Sequence, residues 1–202
     1  MIDIPLILAS TSPRRRELLA QAGLTFEVVV PGANGGVNED PLPQEPVQAY
    51  VERLARDKSR AGWHEAQRLG LPAWPVLGAD TTVSIDGSIL GKPSDASDAT
   101  SMLRALSGRQ HLVYTAICLT DGQSWWPATS ISQVHFRTLD AGEIKAYVDS
   151  GEPFGKAGAY GIQGRAALMV QHLAGSYSGV MGLPLNELGE VLRAYATQRH
   201  PK

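Results

Sequence analysis

Three consecutive arginines open the first predicted helix of the chain, where cations are unusual. Residues 6–8 form a short apolar strand, a polar turn follows, and Ser12 and Pro13 suit the N-cap and first position of a helix. Because the N-terminal end of a helix carries partial positive charge, acidic residues are favoured there, yet residues 14–16 are all arginine. Free backbone N–H groups and guanidinium groups together suit a bound polyanion such as phosphate, and a solvated basic turn is the alternative.

Asp80 is the clearest candidate for acid–base or metal chemistry. It directly follows the apolar run at residues 76–79 and precedes Thr81 and Thr82. An acid at the end of a buried strand commonly marks the site of an α/β fold. Asp80 could bind a metal, act as a general base, or do both, whereas the alternative is an aspartate that only caps a turn.

Four other charged residues are less specific candidates. Glu39 and Asp40 lie in a loop rich in glycine and proline, where acids are usually solvated. Lys92 follows a predicted hairpin and Lys58 lies in the basic part of a predicted helix, and each suits a surface charge equally well. Together with the cationic helix start, these residues suit metal-assisted chemistry on a phosphate ester or anhydride, without naming a substrate.

Residues 155–164 form a second unusual stretch, with the sequence Gly155-Lys-Ala-Gly-Ala-Tyr-Gly-Ile-Gln-Gly164. Four glycines in ten residues are incompatible with a regular helix or strand. A stretch of this composition lets the backbone come close to a ligand or to another segment.

Composition and charge exclude several classes of protein. The 202 residues carry a net charge of −2, so no bulk attraction to nucleic acid is expected. The one cysteine, Cys118, excludes an internal disulfide framework and, in its apolar run, is typical of a buried inert thiol. No apolar run is long enough to span a bilayer, the five histidines lack metal-ligand spacing, and no P-loop motif is present. We expect a cytoplasmic enzyme or binding protein without membrane or nucleic-acid partners.

Strands and helices alternate along the chain. The pattern predicts strands at residues 6–8, 26–30, 76–85, 88–90, 110–120, 130–137 and 168–173, helices starting at residues 13, 46, 94 or 95, 140 and 184, and a loop at residues 175–182. Asp86-Gly87 and Asp121-Gly122 signal two hairpin turns. This order favours an α/β fold with a mixed sheet. The length of 202 residues suits one medium domain or two small lobes.

Several motifs, in one order along the chain, resemble those of the Maf family of nucleoside triphosphate pyrophosphatases. The resemblance runs from about residue 6 to residue 192. The motifs are Leu8-Ala-Ser-Thr-Ser-Pro-Arg-Arg-Arg-Glu-Leu-Leu19, Gly78-Ala-Asp-Thr81, Gly91-Lys-Pro93, Leu106-Ser-Gly108, Ala157-Gly-Ala-Tyr-Gly-Ile-Gln-Gly164 and Gly182-Leu-Pro184.

The resemblance implies a two-lobed α/β fold of the Maf/ITPase-like type, with an elongated mixed β-sheet flanked by helices around a central cleft, commonly as a homodimer. It implies hydrolysis of the α–β phosphoanhydride of a nucleoside triphosphate with a divalent cation, Mg²⁺ or Mn²⁺. Asp80 matches the proton acceptor that activates water, and Glu39 matches a second acid that helps with metal or water. The positions that match residues holding the triphosphate are Ser10, Arg14, Arg15, Lys58 and Lys92.

Three positions separate the branches of the family, and here they are Arg14, Thr81 and Gln163. These resemble the branch that acts on dTTP and UTP, whereas the 7-methyl-GTP branch usually has Trp, Gln and Glu there. A glutamine amide offers a donor and acceptors, which can pair with the imide edge of uracil or thymine. The alternatives are the same reaction on another nucleotide, such as 7-methyl-GTP, or a non-catalytic inhibitor of septum formation, a role also associated with Maf proteins.

Two positions depart from the family pattern. The family's Asp-Glu pair appears as Asn38-Glu39, after an apparent insertion at residues 33–36, so Asp40 could share the role of Glu39. The usual aspartate before Lys156 is Gly155. If that acid orders the loop or ligates a cation, metal affinity is weaker in this chain.

Overall fold

A seven-stranded mixed sheet forms the centre of the protein. The computed structural model describes residues 4–31 and 36–199, so most of the apparent insertion at residues 33–36 lies outside the described residues. The strands are β1 (Leu6–Ala9), β2 (Phe26–Val29), β3 (Val76–Ile85), β4 (Ser88–Leu90), β5 (Gln110–Thr120), β6 (Trp125–Phe136) and β7 (Val170–Ala174). The helices are α1 (Pro13–Gln21), α2 (Val47–Arg68), α3 (Ala96–Leu106), α4 (Ala141–Asp149), α5 (Tyr177–Met181) and α6 (Leu185–Arg199), with 3-10 turns at Ala157–Ala159 and Arg165–Leu168. The predicted α/β fold with a mixed sheet is confirmed.

The sheet has a gap beside the middle of β3. Its strand order is β2-β1-β3-β5-β6-β7, with β4 also paired to β3. β1 runs parallel to β3 and ends with Ala9 opposite Gly78, whereas β4 pairs antiparallel with β3 from Val83 onward. Residues 79–82 of β3 therefore have no strand partner on this edge within the described chain. The predicted strand at residues 76–85 is confirmed. Asp80 therefore lies inside β3 and not at the end of a strand, at the level where β1 has ended.

Two main hydrophobic cores lie on either side of this gap. Leu77 and Ala79 of β3 belong to a core closed by α1 and α6. Val83 and Ile85, further along the same strand, belong to a second core closed by α3 and α4. The intervening residues 80–82 lie between the two lobes, in agreement with the expected two-lobed fold.

Helix α2 packs very closely on the sheet because glycines occupy the contact. A Cβ on Gly78 of β3 would lie 2.3 Å from the carbonyl oxygen of Ala55 and from the backbone nitrogen of Ser59. A Cβ on Gly62 of α2 would lie 2.3 Å from the Cβ of Ala9. This contact carries the middle of α2, including Lys58, across the edge of the gap.

Three local predictions differ from the structure. β6 begins at Trp125 instead of residue 130, since Trp125 pairs with Thr120 and Pro127 with Cys118. Pro127 lies on a stretch of β6 that β7 does not reach, and proline is tolerated on such a sheet edge. β7 begins at Val170, because the preceding residues form a 3-10 turn. The predicted loop at 175–182 contains α5, whose first turn is capped by the Ser176 side chain. Within the described ranges, no helix combines the length and apolar character needed to cross a bilayer.

Candidate active site

The gap in the sheet opens into a cleft of about 780 Å³ between the two lobes. It is lined by residues from β1, α1, α2, β3, the segment after β4, the glycine-rich loop and the end of α5. All nine site residues predicted from the sequence line this cleft: Ser10, Arg14, Arg15, Glu39, Lys58, Asp80, Thr81, Lys92 and Gln163.

The two predicted acids face the same cation. Lys58 Nζ lies 2.7 Å from Oδ1 of Asp80 and 2.7 Å from Oε1 of Glu39. Thr82 donates a hydrogen bond of 3.3 Å to the other oxygen of Asp80. Burial opposes ionisation of Glu39, but hydrogen bonding and charge from Lys58, followed by the charge of Lys92, hold the pKa of Glu39 below its usual value. Both carboxylates are therefore kept close together by one ammonium group.

Contacts between the Glu39 segment and α2 settle which acid enters the cleft. The Tyr50 hydroxyl donates to the backbone oxygen of Glu39 at 2.9 Å, and Arg53 donates to the backbone oxygen of Asp40 at 3.1 Å. Lys92 Nζ reaches Oε2 of Glu39 at 3.2 Å. Asp40 is exposed and does not line the cleft. Glu39 thus occupies the position for which the sequence left two candidates.

Arg15 is held by three acceptors from different parts of the chain. Its guanidinium donates to the Gly182 backbone oxygen at 2.8 Å, to Ser10 Oγ at 3.3 Å and to Thr81 Oγ1 at 3.3 Å. Burial lowers the pKa of Arg15, an effect that the Asp80 carboxylate opposes. Because three acceptors fix its planar fork, this guanidinium has a defined orientation at the wall of the cleft.

The hydroxyl of Thr81 is occupied by protein partners. Arg15 donates to it, and Thr115 Oγ1 lies 3.0 Å away, also 2.7 Å from the Gly179 backbone oxygen. A hydroxyl has one proton, so this geometry fits a chain in which Arg15 donates to Thr81, Thr81 to Thr115, and Thr115 to Gly179. Thr81 therefore connects Arg15 to α5, which sequence reasoning missed because Thr115 and Gly179 are distant in the chain.

The helix start differs from its prediction in one hydrogen bond. Ser12 is at the N-cap position and Pro13 follows it, but the Ser12 side chain caps no backbone N–H group. The Ser12 N–H instead donates to Ser10 Oγ at 3.1 Å. Ser10 is thereby fixed beside Arg15, and Arg14 projects into the same cleft. Arg16 is exposed and does not line the cleft.

The glycine-rich loop forms the opposite wall of the cleft. Gln163 is exposed there, whereas Ile162 beside it is buried. Lys156 also lines the cleft, and burial together with the charge of Arg14 lowers its pKa. A Cβ on Gly161 would lie 3.0 Å from Lys156 Cε, so this glycine makes room for the lysine stem. Sequence reasoning assigned Lys156 no role, although a lysine in a glycine-rich stretch was an available signal.

The donor set of the cleft fits a hard divalent cation. Within residues 4–31 and 36–199, no group of three or more His, Cys, Asp and Glu residues forms a complete metal site. Asp80 and Glu39 nevertheless converge on one positive charge, the ammonium of Lys58. Mg²⁺ is commonly held by one or two carboxylates, with waters and substrate phosphates completing its coordination. Two convergent carboxylates, in a cleft that Arg14 and Arg15 also line, satisfy that requirement.

Cys118 lies outside the cleft. It is buried on β5, with 1% of its surface exposed. Burial raises the pKa of its thiol, which favours the protonated form. The predicted burial of Cys118 is confirmed.

Comparisons with known proteins agree with the sequence motifs. The Maf family, described as "Maf-like protein", matches residues 5–195. A protein of Aromatoleum aromaticum named dTTP/UTP pyrophosphatase is 53% identical over 199 residues, covering 96% of this chain and 97% of its own. One of the same name from Chromobacterium violaceum is 51% identical, covering 96% of each chain.

The fold also occurs in a distant solved structure. The Ham1 protein of Staphylococcus aureus has a TM-score of 0.51 with this chain at 12% identity, covering 97% of this chain and 100% of its own. At that identity the likeness concerns the fold alone. The family match over nearly the whole chain and the relatives at about half identity establish that this chain belongs to the Maf family.

Proposed function

We propose that this protein hydrolyses dTTP and UTP between the α- and β-phosphates, giving the nucleoside monophosphate and pyrophosphate. The observation that carries the proposal is that Asp80, the cationic residues and the three branch-specific positions Arg14, Thr81 and Gln163 line one cleft. Relatives at about 50% identity over nearly their full length are named dTTP/UTP pyrophosphatase.

The proposed chemistry begins at Asp80. Its carboxylate accepts a proton from water as the water oxygen attacks the α-phosphorus, and the bond to the oxygen bridging the α- and β-phosphates breaks. Thr82 and Lys58 hold the Asp80 carboxylate in one orientation, which suits a positioned general base. Pyrophosphate departs with the electron pair of the broken bond.

Binding of the triphosphate is assigned to the cationic wall. Ser10, just before α1, and Arg14 and Arg15 in its first turn line the same cleft as Lys58 and Lys92. Asp80 and Glu39 would hold a divalent cation, Mg²⁺ or Mn²⁺. When bound, such a cation would neutralise phosphate charge and stabilise the negative charge that develops on the reacting oxygens. The positive side chains then orient the chain of phosphates so that the α-phosphorus lies next to Asp80.

Gln163 is proposed to read the base. Its amide can donate to one carbonyl of uracil or thymine and accept from the imide N–H, a pattern that a carboxylate cannot offer. The side chain is exposed on the cleft wall and free to meet a base. Thr81 contributes through its contact with Arg15.

We also propose that residues 1–202 form one domain and that the protein acts in the cytoplasm, as expected from its composition. We further propose that it is a homodimer, as the family resemblance implies. Light scattering of the purified protein tests the oligomeric state. A mass of one chain would reject the dimer without affecting the proposed reaction.

A panel of nucleoside triphosphates tests the proposed substrate. The purified protein with Mg²⁺ or Mn²⁺ is expected to release pyrophosphate fastest from dTTP or UTP, and Gln163→Glu is expected to weaken that preference. Fastest release from 7-methyl-GTP would assign the chain to the other branch. If Asp80→Asn still arrested cell division on overexpression, binding and not hydrolysis would be the relevant activity.

A further inference from the structure

Both ends of the turn that carries Gln163 are tied to one carboxylate. Glu152 Oε2 accepts a hydrogen bond of 3.1 Å from the backbone N–H of Arg165. Glu152 Oε1 accepts one of 3.0 Å from the hydroxyl of Tyr147, which itself accepts from the backbone N–H of Gly161 at 3.3 Å. The segment 161–165, with Gln163 at its centre, is therefore fastened at each end to Glu152, once directly and once through Tyr147.

Each hydrogen bond in this arrangement has a defined donor and acceptor. Tyr147 is 3% exposed, and burial and the neighbouring charge of Glu152 raise the pKa of its hydroxyl, with the Gly161 N–H acting in the opposite sense. The hydroxyl therefore keeps its proton and donates a hydrogen bond to the carboxylate. A lone pair of the Tyr147 oxygen remains available to accept from the Gly161 N–H. Every donor in this set of hydrogen bonds therefore has an acceptor.

Gly164 shows how closely the carboxylate lies under the turn. A Cβ added there would lie 2.1 Å from Glu152 Oε1, which is incompatible with any real contact. The φ of Gly164 is −103°, a value that other residues adopt readily, so backbone conformation does not demand glycine. Glycine fits this position because the Glu152 carboxylate occupies the space that a Cβ would take.

Glu152 is also connected to the neighbouring part of the loop. Its backbone oxygen accepts a hydrogen bond from Lys156, which lines the cleft. Between them lies Gly155, where the family pattern has an aspartate and this chain supplies no carboxylate. The carboxylate that accepts a hydrogen bond from the loop backbone here belongs to Glu152, three positions earlier.

We propose that Glu152 and Tyr147, which we call the brace, are positioning residues for Gln163. By holding Gln163 in place, the brace sets the preference for uracil and thymine. The inference rests on the proposed function, in which Gln163 reads the base. Neither residue lines the cleft, so neither contacts the nucleotide directly. They act by holding the two backbone N–H groups between which the Gln163 side chain is presented.

Kinetic selectivity distinguishes positioning from general stability. We compare kcat/KM for dTTP with that for GTP in Glu152→Ala, Glu152→Gln, Tyr147→Phe and Gln163→Ala. Asp149→Asn is the matched control, since Asp149 is an exposed carboxylate on α4 that pairs with Lys145. Each lost hydrogen bond is expected to reduce selectivity roughly two- to tenfold, mainly through KM for dTTP. Glu152→Ala should have the largest effect of the brace variants, because both ties depend on the carboxylate.

Gly164→Ala provides a second test. The new methyl group should displace Glu152 and reproduce the loss of selectivity, but it should have little further effect in the Glu152→Ala background, where space is available. Additive losses in the double variant would overturn the proposed contact. If Glu152→Ala fails to fold, Glu152→Gln and Tyr147→Phe carry the test, since each removes part of the brace.

The outcomes separate this inference from the proposed function. If Gln163→Ala lowers selectivity while the brace variants match Asp149→Asn, the positioning role is wrong and the proposed function stands. If Gln163→Ala leaves selectivity unchanged, the base-reading role of Gln163 is wrong and the inference falls with it. Loss of stability without loss of selectivity in the brace variants would show a purely structural role and would also overturn the inference.

Discussion

The ammonium group of Lys58 lies 2.7 Å from Oδ1 of Asp80, at the centre of the cleft. Its second carboxylate partner, Glu39, is equally close. Two acids that share one cation can both remain ionised at short separation, which a metal-binding and proton-accepting pair requires. Lys58 thus joins the two acids to which the proposed divalent cation would bind.

Replacing Lys58 should alter the pH dependence of the reaction. In Lys58→Met, Glu39 loses the ammonium group that does most to lower its pKa, so the pKa of Glu39 should rise. The acidic limb of the pH profile of kcat/KM should then move to higher pH. We expect kcat/KM at neutral pH to fall at least roughly tenfold, because a charge-assisted contact to phosphate is also lost. Arg60→Met is the control, since Arg60 is an exposed cation on the same helix. An acidic limb unchanged in Lys58→Met would contradict this interpretation.

Arg15 should not tolerate replacement by lysine. The three acceptors around its guanidinium require a planar fork, which an ammonium group cannot supply. We expect Arg15→Lys to raise KM for dTTP by roughly ten- to a hundredfold, the equivalent of about 1.5–3 kcal/mol. Steady-state kinetics alongside Arg16→Lys, at an exposed position, gives the comparison. Equal effects of the two substitutions would contradict the proposed role of Arg15 in binding the triphosphate.

Gly78→Ala tests the packing that carries Lys58 to the cleft. A methyl group at residue 78 would collide with the backbone of α2, so the helix must move away from β3. We expect a loss of about 1–3 kcal/mol in the free energy of unfolding, together with reduced activity. Gly189→Ala on α6 is a suitable control, because its new Cβ would meet only the tip of Arg193 at 3.6 Å. Chemical denaturation should show full stability for that control, and a stable, active Gly78→Ala would contradict the close packing.

His111 should make stability depend on pH in a window that begins above the range where carboxylates titrate. It is 2% exposed, its Nε2 lies 2.8 Å from the Tyr160 hydroxyl, and burial, followed by the charge of His135, lowers its pKa to about 4. The unfolded chain binds a proton near pH 6.5 and the folded chain only near pH 4, so stability is lost as the pH falls through this window. The loss amounts to about 3 kcal/mol in the free energy of unfolding.

Denaturation curves between pH 7 and pH 5 check this prediction. His111→Gln should flatten the pH dependence in that interval, whereas His172→Gln, at an exposed position, should leave it as in the unmodified protein. A flat profile for the unmodified protein would show that His111 has an ordinary pKa. The prediction concerns the lobe behind the glycine-rich loop and is independent of the proposed reaction.

Local patterns predicted much of the fold. The helix start predicted at residue 140 is confirmed, and Asp140 and Glu143 form a capping box there. The Asp86-Gly87 hairpin is also confirmed. These features depend on residues within a few positions of one another, where capping and turn chemistry decide the outcome. The start of β6 and the helix α5 were missed because distant strand pairs and a side-chain cap determine them.

The site shows the same division between local and long-range information. Motifs located Asp80 and Gln163 in the chain, and the structure places both in one cleft. The position of Asp80 beside a gap in the sheet depends on where β1 and β4 pair with β3, which no local pattern specifies. Glu152 resembles any loop acid in the sequence, and its relation to Gly164 appears only once the loop is folded.

Product analysis with dTTP tests the central claim most directly. With Mg²⁺ or Mn²⁺, the protein should convert dTTP into dTMP and pyrophosphate in equal amounts, and water labelled with ¹⁸O should place the label in dTMP, since the water oxygen attacks the α-phosphorus. Asp80→Asn should fold normally and lose this activity by roughly a hundredfold or more, as expected for a general base. Release of orthophosphate, label in the pyrophosphate, or full activity in Asp80→Asn would contradict the account.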